Sequence, residues 1–448
     1  MSFTQKYADW FRRLLPSPFS IAVLLTLLTF LLAILVSDKS VPTLLIDWQT
    51  GLWKNDLLAF AFQMMLMLVL GHTLALSSFF DRSISFLIEP IKTTAQAAAL
   101  VTFATILVAF VNWGLGLIFG AIIARKLGES FSKKEIPLNY PLIGAAGYVG
   151  LMVWHGGLSG SALAKVAEQG HLRSISMNAS LPDAIYYSDT VFSLMNMVAF
   201  GLLIVIVPFV FYRLGKSTQS TIPNLTITPP PEGVKQELKG AERIDHLMIL
   251  SKGIGLILIG LSFYIGLSYS GASLGFITPN FINFTMLAFC LLLHQNFHSF
   301  LKAVDQAIRG SSGILIQFPL YFGILALMQS GGLIELISNW FINISTPSTL
   351  PIFTFFSAGL VNIFVPSGGG QWAIQGPIIL EAATKLNVPL NKMILALAYG
   401  DQLTNMLQPF WALPLLSITG LKAKDILPYT LILLLIGFVI FISCLIIF

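Results

Sequence analysis

Asp401 is the residue from which the chemistry of this 448-residue chain is best read, because it is an acid inside an otherwise uncharged run. It stands in Tyr399-Gly400-Asp401-Gln402-Leu403-Thr404-Asn405-Met406-Leu407-Gln408-Pro409. An acid in apolar surroundings is costly and is a functional-site candidate by default. Removed from water, a carboxyl group favours its protonated form, so Asp401, with Thr404 beside it, is a candidate for ion coupling; the bland alternative is a structural acid paired with a neighbouring amide. A second stretch reads Gly147-Tyr148-Val149-Gly150-Leu151-Met152-Val153-Trp154-His155-Gly156-Gly157-Leu158-Ser159-Gly160-Ser161. His155 changes charge near neutral pH, although a lone histidine among glycines serves as readily in packing. Glycine and proline loosen the helix in both stretches. A helix broken in mid-membrane frees N–H groups that favour an anion and carbonyls that hold a cation.

Two further stretches carry polar residues at matching places. One contains Asn112-Trp113-Gly114-Leu115-Gly116; the other contains Asn362 and then Pro366-Ser367-Gly368-Gly369-Gly370-Gln371. Asn112, Trp113, Gly114, His155, Gly157, Ser159 and Ser161 are the candidate substrate-binding residues of the first half. Asn362, Ser367, Gly368, Gly369, Gly370, Gln371, Gln402, Asn405 and Gln408 are those of the second. Interhelical hydrogen bonding, common in membrane bundles, is the competing explanation for each polar side chain. The three glycines serve equally as a tight tip or as backbone donors to an anion. No Lys or Arg lies in these motifs, so a carboxylate bound there relies on N–H groups, hydroxyls, amides or a bound cation.

The elements that must position these residues are membrane spans. Hydrophobic residues make up 56% of the chain and charged residues 10%, with a mean hydropathy of +0.82, which no soluble core accommodates. Apolar runs of spanning length predict nine crossings: Phe19–Val36, Leu57–Ser77, Pro141–Leu163, Thr190–Tyr212, Leu247–Tyr269, Phe276–Leu293, Ser311–Gln329, Met393–Leu416 and Pro428–Phe448. The stretches Thr93–Ala124 and Leu336–Leu380 are each interrupted near the middle, which suits re-entrant hairpins with arms of roughly ten residues, about 15 Å long. The net charge of +5 and pI of about 9.1 come from bases in short loops, which points to topology and not to a nucleic-acid partner. With the hairpins returning to the side they left, Lys39, Lys54, Lys165, Arg173, Lys385 and Lys392 fall outside. The remaining nineteen of twenty-five Lys and Arg are cytoplasmic, as is the N-terminus. Cys290 and Cys444 lie in apolar runs, away from any disulfide or thiolate metal pattern.

The order of motifs repeats. Asn362 follows Asn112 by 250 residues and Tyr399 follows Tyr148 by 251, a shared spacing that indicates duplication. The expected organisation is an all-α polytopic membrane protein with a first repeat over 1–214, a cytoplasmic linker over 215–246, a connecting span over 247–270 and a second repeat over 271–448. The connecting span inverts the second repeat, and each repeat carries one hairpin and one interrupted helix.

The stretches Val365-Pro366-Ser367-Gly368-Gly369-Gly370-Gln371-Trp372-Ala373-Ile374-Gln375-Gly376-Pro377 and Gln408-Pro409-Phe410-Trp411-Ala412-Leu413-Pro414 resemble those of the short-chain fatty acid transporter family. Asn112-Trp113-Gly114 and Gly157-Leu158-Ser159-Gly160-Ser161 share the likeness, which runs from Leu15-Pro16-Ser17-Pro18 to the last span. That family is similar to the wider ion transporter superfamily, whose sodium-coupled dicarboxylate carriers are dimers with hairpin-bearing domains that move as elevators. The resemblance implies uptake of acetoacetate, butyrate or similar monocarboxylates across a prokaryotic inner membrane. It also implies symport with H+ or Na+, a homodimer, and no cofactor beyond the coupling ion. Asn112 and Asn362 are placed like the tip asparagines of those carriers, where a Na+ would sit. The Ser-Asn-Thr tips of the dicarboxylate carriers are absent, which keeps protons open as the coupling ion. The resemblance further implies an acid at Asp401 and glycine in place of His155, making the histidine a departure from the pattern.

Two other classes fit parts of the chain. Polar half-buried tips also suit a channel or a cation antiporter of the same fold. Gly157-Leu158-Ser159-Gly160 would serve an intramembrane serine protease if His294 were its base, a weak motif that leaves the duplication unexplained.

Overall fold

The computed structural model describes residues 18–175, 181–218, 220–223, 225, 240–269, 276, 278–308, 311–366 and 368–448. Ser367 and most of the expected linker, with Pro229-Pro230-Pro231, lie outside the described residues. The chain is all-α. Among the described residues six helices are long and apolar enough to cross a membrane: Phe19–Val36, Leu57–Leu74, Thr94–Val111, Leu194–Ser217, Met248–Ser268 and Ala423–Ile447. A bent pair, Leu315–Ser330 with Leu333–Asn343, adds a seventh if it forms one span. The bend of 65° falls at Gly331-Gly332, where Gly332 takes φ +67, a left-handed conformation open to glycine. The remaining expected spans are shorter or interrupted: Pro279–Leu293 has 15 residues, and the other two break in mid-course. On Met248–Ser268, Leu256, Ile257, Phe263 and Leu267 are 60%, 70%, 69% and 86% exposed. A stripe of that kind is the signature of a lipid-facing helix.

Two helical hairpins occupy the stretches expected to carry them, with arms longer than those expected of re-entrant ones. The first joins Thr94–Val111 to Trp113–Lys133 through Asn112 alone; the second joins Leu350–Phe364 to Gly368–Lys385. At 1.5 Å per residue these arms run about 22–32 Å, against the 15 Å expected. The exit arm of the first continues past Ala124 through Arg125, Lys126 and Glu129, which pair with one another. Leu336, expected to open the second hairpin, belongs instead to Leu333–Asn343, which packs on both arms.

What stops each exit arm is the same cap. Glu135 (φ 56) and Asn387 (φ 52) are left-handed, and the residue after each sends its N–H back, Ile136 to Phe131 O and Val388 to Ala383 O, both at 2.9 Å. This is the Schellman closure. The first hairpin returns to its starting end, since Asn139 N–H donates to Thr94 Oγ1 at 3.2 Å. Thr94 also meets Ser220, and Tyr140 donates to Thr419 O at 2.9 Å. The opposite end gathers Val166 with Ile185, Gly170 with Asp183, and Asn391 with Asp189.

The helices pack in two groups. The hairpins, the interrupted helices, Leu194–Ser217 and Ala423–Ile447 contact one another extensively. Pro18–Val36, Val41–Leu52, Asn55–Ala75, Met248–Ser268, Pro279–Leu293, Phe297–Ile308 and Ser312–Ser330 form the other group. Within the first group backbones touch through glycine. A Cβ on Gly120 would lie 2.0 Å from Gly147 O, and one on Gly147 would lie 2.4 Å from Gly120 O. The second hairpin meets its interrupted helix likewise, for a Cβ on Gly400 would lie 2.1 Å from Phe355 O. The exit arm of the second hairpin is also tied sideways, since Trp372 Nε1–H donates to His171 Nε2 at 3.0 Å.

Two outcomes are expected. Gly120→Ala forces two backbones apart and destabilises by about 1–3 kcal/mol, read as a lowered thermal midpoint in detergent; an unchanged midpoint would contradict the close approach. Burial chiefly holds the His171 imidazole below its ordinary value, with Glu168 opposing and Lys165 assisting. Its acceptor role is therefore whole above about pH 6.5 and is lost as pH falls through the lowered value. The advantage in thermal midpoint of the native chain over Trp372→Phe should shrink as pH falls below about 6.5, and an advantage constant with pH would speak against the contact.

Candidate functional site

The two interrupted helices end their first halves in the same way. Tyr140–Tyr148 tightens into a 3-10 turn over Val149–Met152, and Leu390–Thr404 does so over Asn405–Leu407. The chain then turns irregular from Val153 to Gly160, whereas in the second helix Gln408 alone is extended before Pro409–Thr419 begins. Pro409 cannot donate to the preceding turn, which makes the second break short.

The breaks cross, and His155 meets Asp401 there. His155 Nδ1 contacts Asp401 Oδ2, with the side chains 0% and 1% exposed, and Asp401 Oδ1 has no partner. Nε2 of His155 accepts the Ala162 N–H at 3.0 Å. An accepting Nε2 carries no proton. The pair therefore holds either one proton on Nδ1 facing a carboxylate, net charge −1, or a further proton on Asp401, net charge zero. Gln402, next in the chain, accepts the Gly156 N–H at 2.9 Å.

Asn362 organises a second cluster. Its Nδ2 lies 2.7 Å from Asp401 O, 2.9 Å from Thr404 Oγ1 and 2.9 Å from Asn405 Oδ1, while its carbonyl accepts from Gln408 Nε2. Asn362 Oδ1 and Gln408 Oε1 are buried without a donor.

The first hairpin tip behaves differently. Asn112 Oδ1 caps its own helix, accepting the N–H groups of Gly114 (3.0 Å) and Leu115 (3.1 Å). Trp113 N–H donates to Ser159 Oγ at 2.9 Å, and Leu158 N–H donates to Phe110 O at 2.8 Å. Gly157 passes so close that a Cβ would lie 2.4 Å from Phe110 O. Gly114 faces Met67, with its Cβ position 2.5 Å from Sδ, so its smallness serves packing. His294 contacts Thr73 O and not Ser159. The structure thus fails to assemble a Ser159–His294 pair.

The second tip reaches the same centre. A Cβ on Gly368 would lie 2.7 Å from Trp154 Cη2 and 2.8 Å from His155 Cε1, and one on Gly369 would lie 3.8 Å from Ser161 Cβ. Gly370 follows on the same turn. Gln371 faces back into its own hairpin, donating to Ala358 O and Gln375 Oε1.

Sequence reasoning missed several partners. Tyr148 OH donates to Asn405 O (2.9 Å) and Gln408 O (3.1 Å). Tyr399 OH donates to Asn196 Oδ1 at 2.9 Å, and Asn196 Nδ2 donates to Gly156 O at 2.8 Å. Each tyrosine thus serves the break in the other half of the chain. Their 251-residue spacing was the available signal, and Asn196 showed as an amide in an apolar span. Trp154 had no signal beyond its neighbours; its ring stacks on His155 at 4.5 Å.

The family described as short chain fatty acid transporter matches residues 2–448. A proposed short-chain fatty acid transporter of Escherichia coli (strain K12) is 37% identical over 436 residues, covering 96% of each chain. One of Haemophilus influenzae (strain ATCC 51907 / DSM 11121 / KW20 / Rd) is 36% identical over 438 residues, covering 96% of this chain and 94% of its own. Among solved structures the Alcanivorax borkumensis YdaH transporter aligns at 14% identity with a TM-score of 0.46, over 95% of this chain and 98% of that one. Matched from end to end, this multi-pass membrane chain belongs to the short-chain fatty acid transporter family.

Proposed function

We propose that the chain takes up short-chain monocarboxylates such as butyrate and acetoacetate by proton symport, with Asp401 as the coupling acid and His155 as its partner. The His155–Asp401 contact at the crossing of the two breaks carries this reading. The motifs around it hold no Lys or Arg, so nothing there offsets two negative charges. With Asp401 ionised the pair carries −1 and repels a carboxylate through a low-dielectric interior. With Asp401 protonated the pair is neutral and an anion is tolerated. Proton and acid would then travel together. A proton placed on His155 Nε2 instead would face the Ala162 N–H, so full protonation displaces the loop that follows the break. That is a means of linking charge to movement.

The grouping of hairpins and breaks apart from the remaining helices supports an elevator-type movement of two inverted repeats against a scaffold, in a bacterial inner membrane with the N-terminus inside. The family likeness supports a homodimer as the brace; crosslinking in native membranes that gives monomer alone would count against it.

A specific observation favours sodium as the second reading. The Asn362 amide nitrogen has two hydrogens and three close oxygens, and Asn362 Oδ1 and Gln408 Oε1 lack donors. Such an excess of acceptors suits a hard cation. Asn112 fits that role less, because its oxygen is taken up by its own helix.

Labelled butyrate uptake into proteoliposomes, under an inward proton gradient and then a sodium gradient, tests both readings. Saturable, proton-driven uptake with counterflow is expected, falling to background in Asp401→Asn. Uptake driven by sodium alone moves coupling to Asn362, and linear uptake without counterflow indicates a channel. Failure to carry any short acid under either gradient sinks the substrate assignment.

A further inference from the structure

A carboxylate entering this centre needs a donor, and nearly all those shown at the breaks are engaged. Trp113 N–H is held by Ser159, Gly114 and Leu115 N–H by Asn112, Gly156 N–H by Gln402, and Ala162 N–H by His155. The amide nitrogens of Asn362 and Gln408 are likewise committed. Among the described residues of the site one buried side-chain donor has no acceptor, the indole Nε1 of Trp154, a residue 5% exposed. Buried polar groups are seldom left unpaired, and each exception needs a reason.

The surroundings of this indole supply one. Its face lies on His155, at 4.5 Å and 18° between planes. Trp113 meets it edge-on at 6.0 Å, and Trp113 in turn meets Trp411 edge-on at 5.3 Å. Gly368, first residue of the exit arm of the second hairpin, sits against the same ring. The start of that 18-residue helix therefore meets the benzo edge of the indole and the His155 ring. Three tryptophans, one histidine and a helix start thus bring together an apolar wall and a donor without any full positive charge.

We propose that Trp154 Nε1–H receives one carboxylate oxygen of the transported acid, and that Trp113 and Trp411 wall its alkyl tail and so limit chain length. This rests on the reading of the chain as a monocarboxylate carrier. With Gly368 seated on the indole the site is closed, and withdrawal of the second tip makes room for the acid. The stacked His155 relates the donor to the proton-carrying pair: the ring beside the carboxylate belongs to the group whose partner must be neutral before an anion is accepted.

The test is butyrate exchange in proteoliposomes made from the full chain, compared with Trp154→Phe and with a protein carrying benzothienylalanine at position 154. That analogue keeps the bicyclic shape and replaces the N–H by sulfur, so it remains informative if Trp154→Phe does not fold. Loss of a hydrogen bond to a charged group makes a rise of about tenfold or more in KM the expected result, with the maximal rate little changed. Trp113→Ala is expected to admit hexanoate and octanoate. An unaltered butyrate KM in the benzothienylalanine protein overturns the Trp154 assignment while leaving the carrier reading intact. An unaltered chain-length profile in Trp113→Ala overturns the aromatic wall. A native chain that exchanges no short acid overturns the carrier reading and this inference with it.

Discussion

A helix that breaks inside a membrane must find partners for the backbone groups it frees, because the surrounding hydrocarbon offers none. Here each break draws part of its partners from the opposite half of the chain. Tyr148 reaches Asn405 O and Gln408 O, and Tyr399 reaches the first break through Asn196 and Gly156 O. Gln402 takes the N–H of Gly156 directly. The exchange ties the two interrupted helices together where they meet. That crossing places His155 against Asp401. The buried acid is thus a by-product of how the backbone is satisfied, and any movement at one break is felt at the other.

The hairpins follow from the same constraint. The loop from Val153 to Gly160 lacks regular structure, so it needs a wall that brings its own hydrogen-bonding groups, and the first tip supplies Phe110 O and Trp113 N–H. Glycines let the backbones meet at Gly120 and Gly147, and again at Gly400 and Phe355. Side chains at those places would separate the elements by more than a hydrogen bond spans.

Much of this was legible in the sequence, and the exceptions have physical causes. Glycine and proline inside uncharged runs marked both breaks, the isolated acid marked the centre, and paired asparagines marked the tips. Arm lengths were not legible because apolar composition reports the depth of lipid and not the end of a helix. The first exit arm runs on through Arg125 to Lys133 and stops where Glu135 turns left-handed. The part of Leu333–Asn343 from Leu336 onward was absorbed into the second hairpin because no charge separates it from the run that ends at Leu380. The tie between His171 and Trp372 joins residues 201 apart, and no periodicity announces such a pair.

The unequal use of Asn112 and Asn362 has a consequence for how freely each position can vary. Asn112 supplies one acceptor oxygen to its own helix, a task that Ser or Asp performs nearly as well. Asn362 supplies two hydrogens to a neighbouring helix and keeps its oxygen open, which only a carboxamide of that length does. The two positions are therefore under different pressures. The first tolerates drift among short acceptors, while the second is fixed by both ends of its side chain.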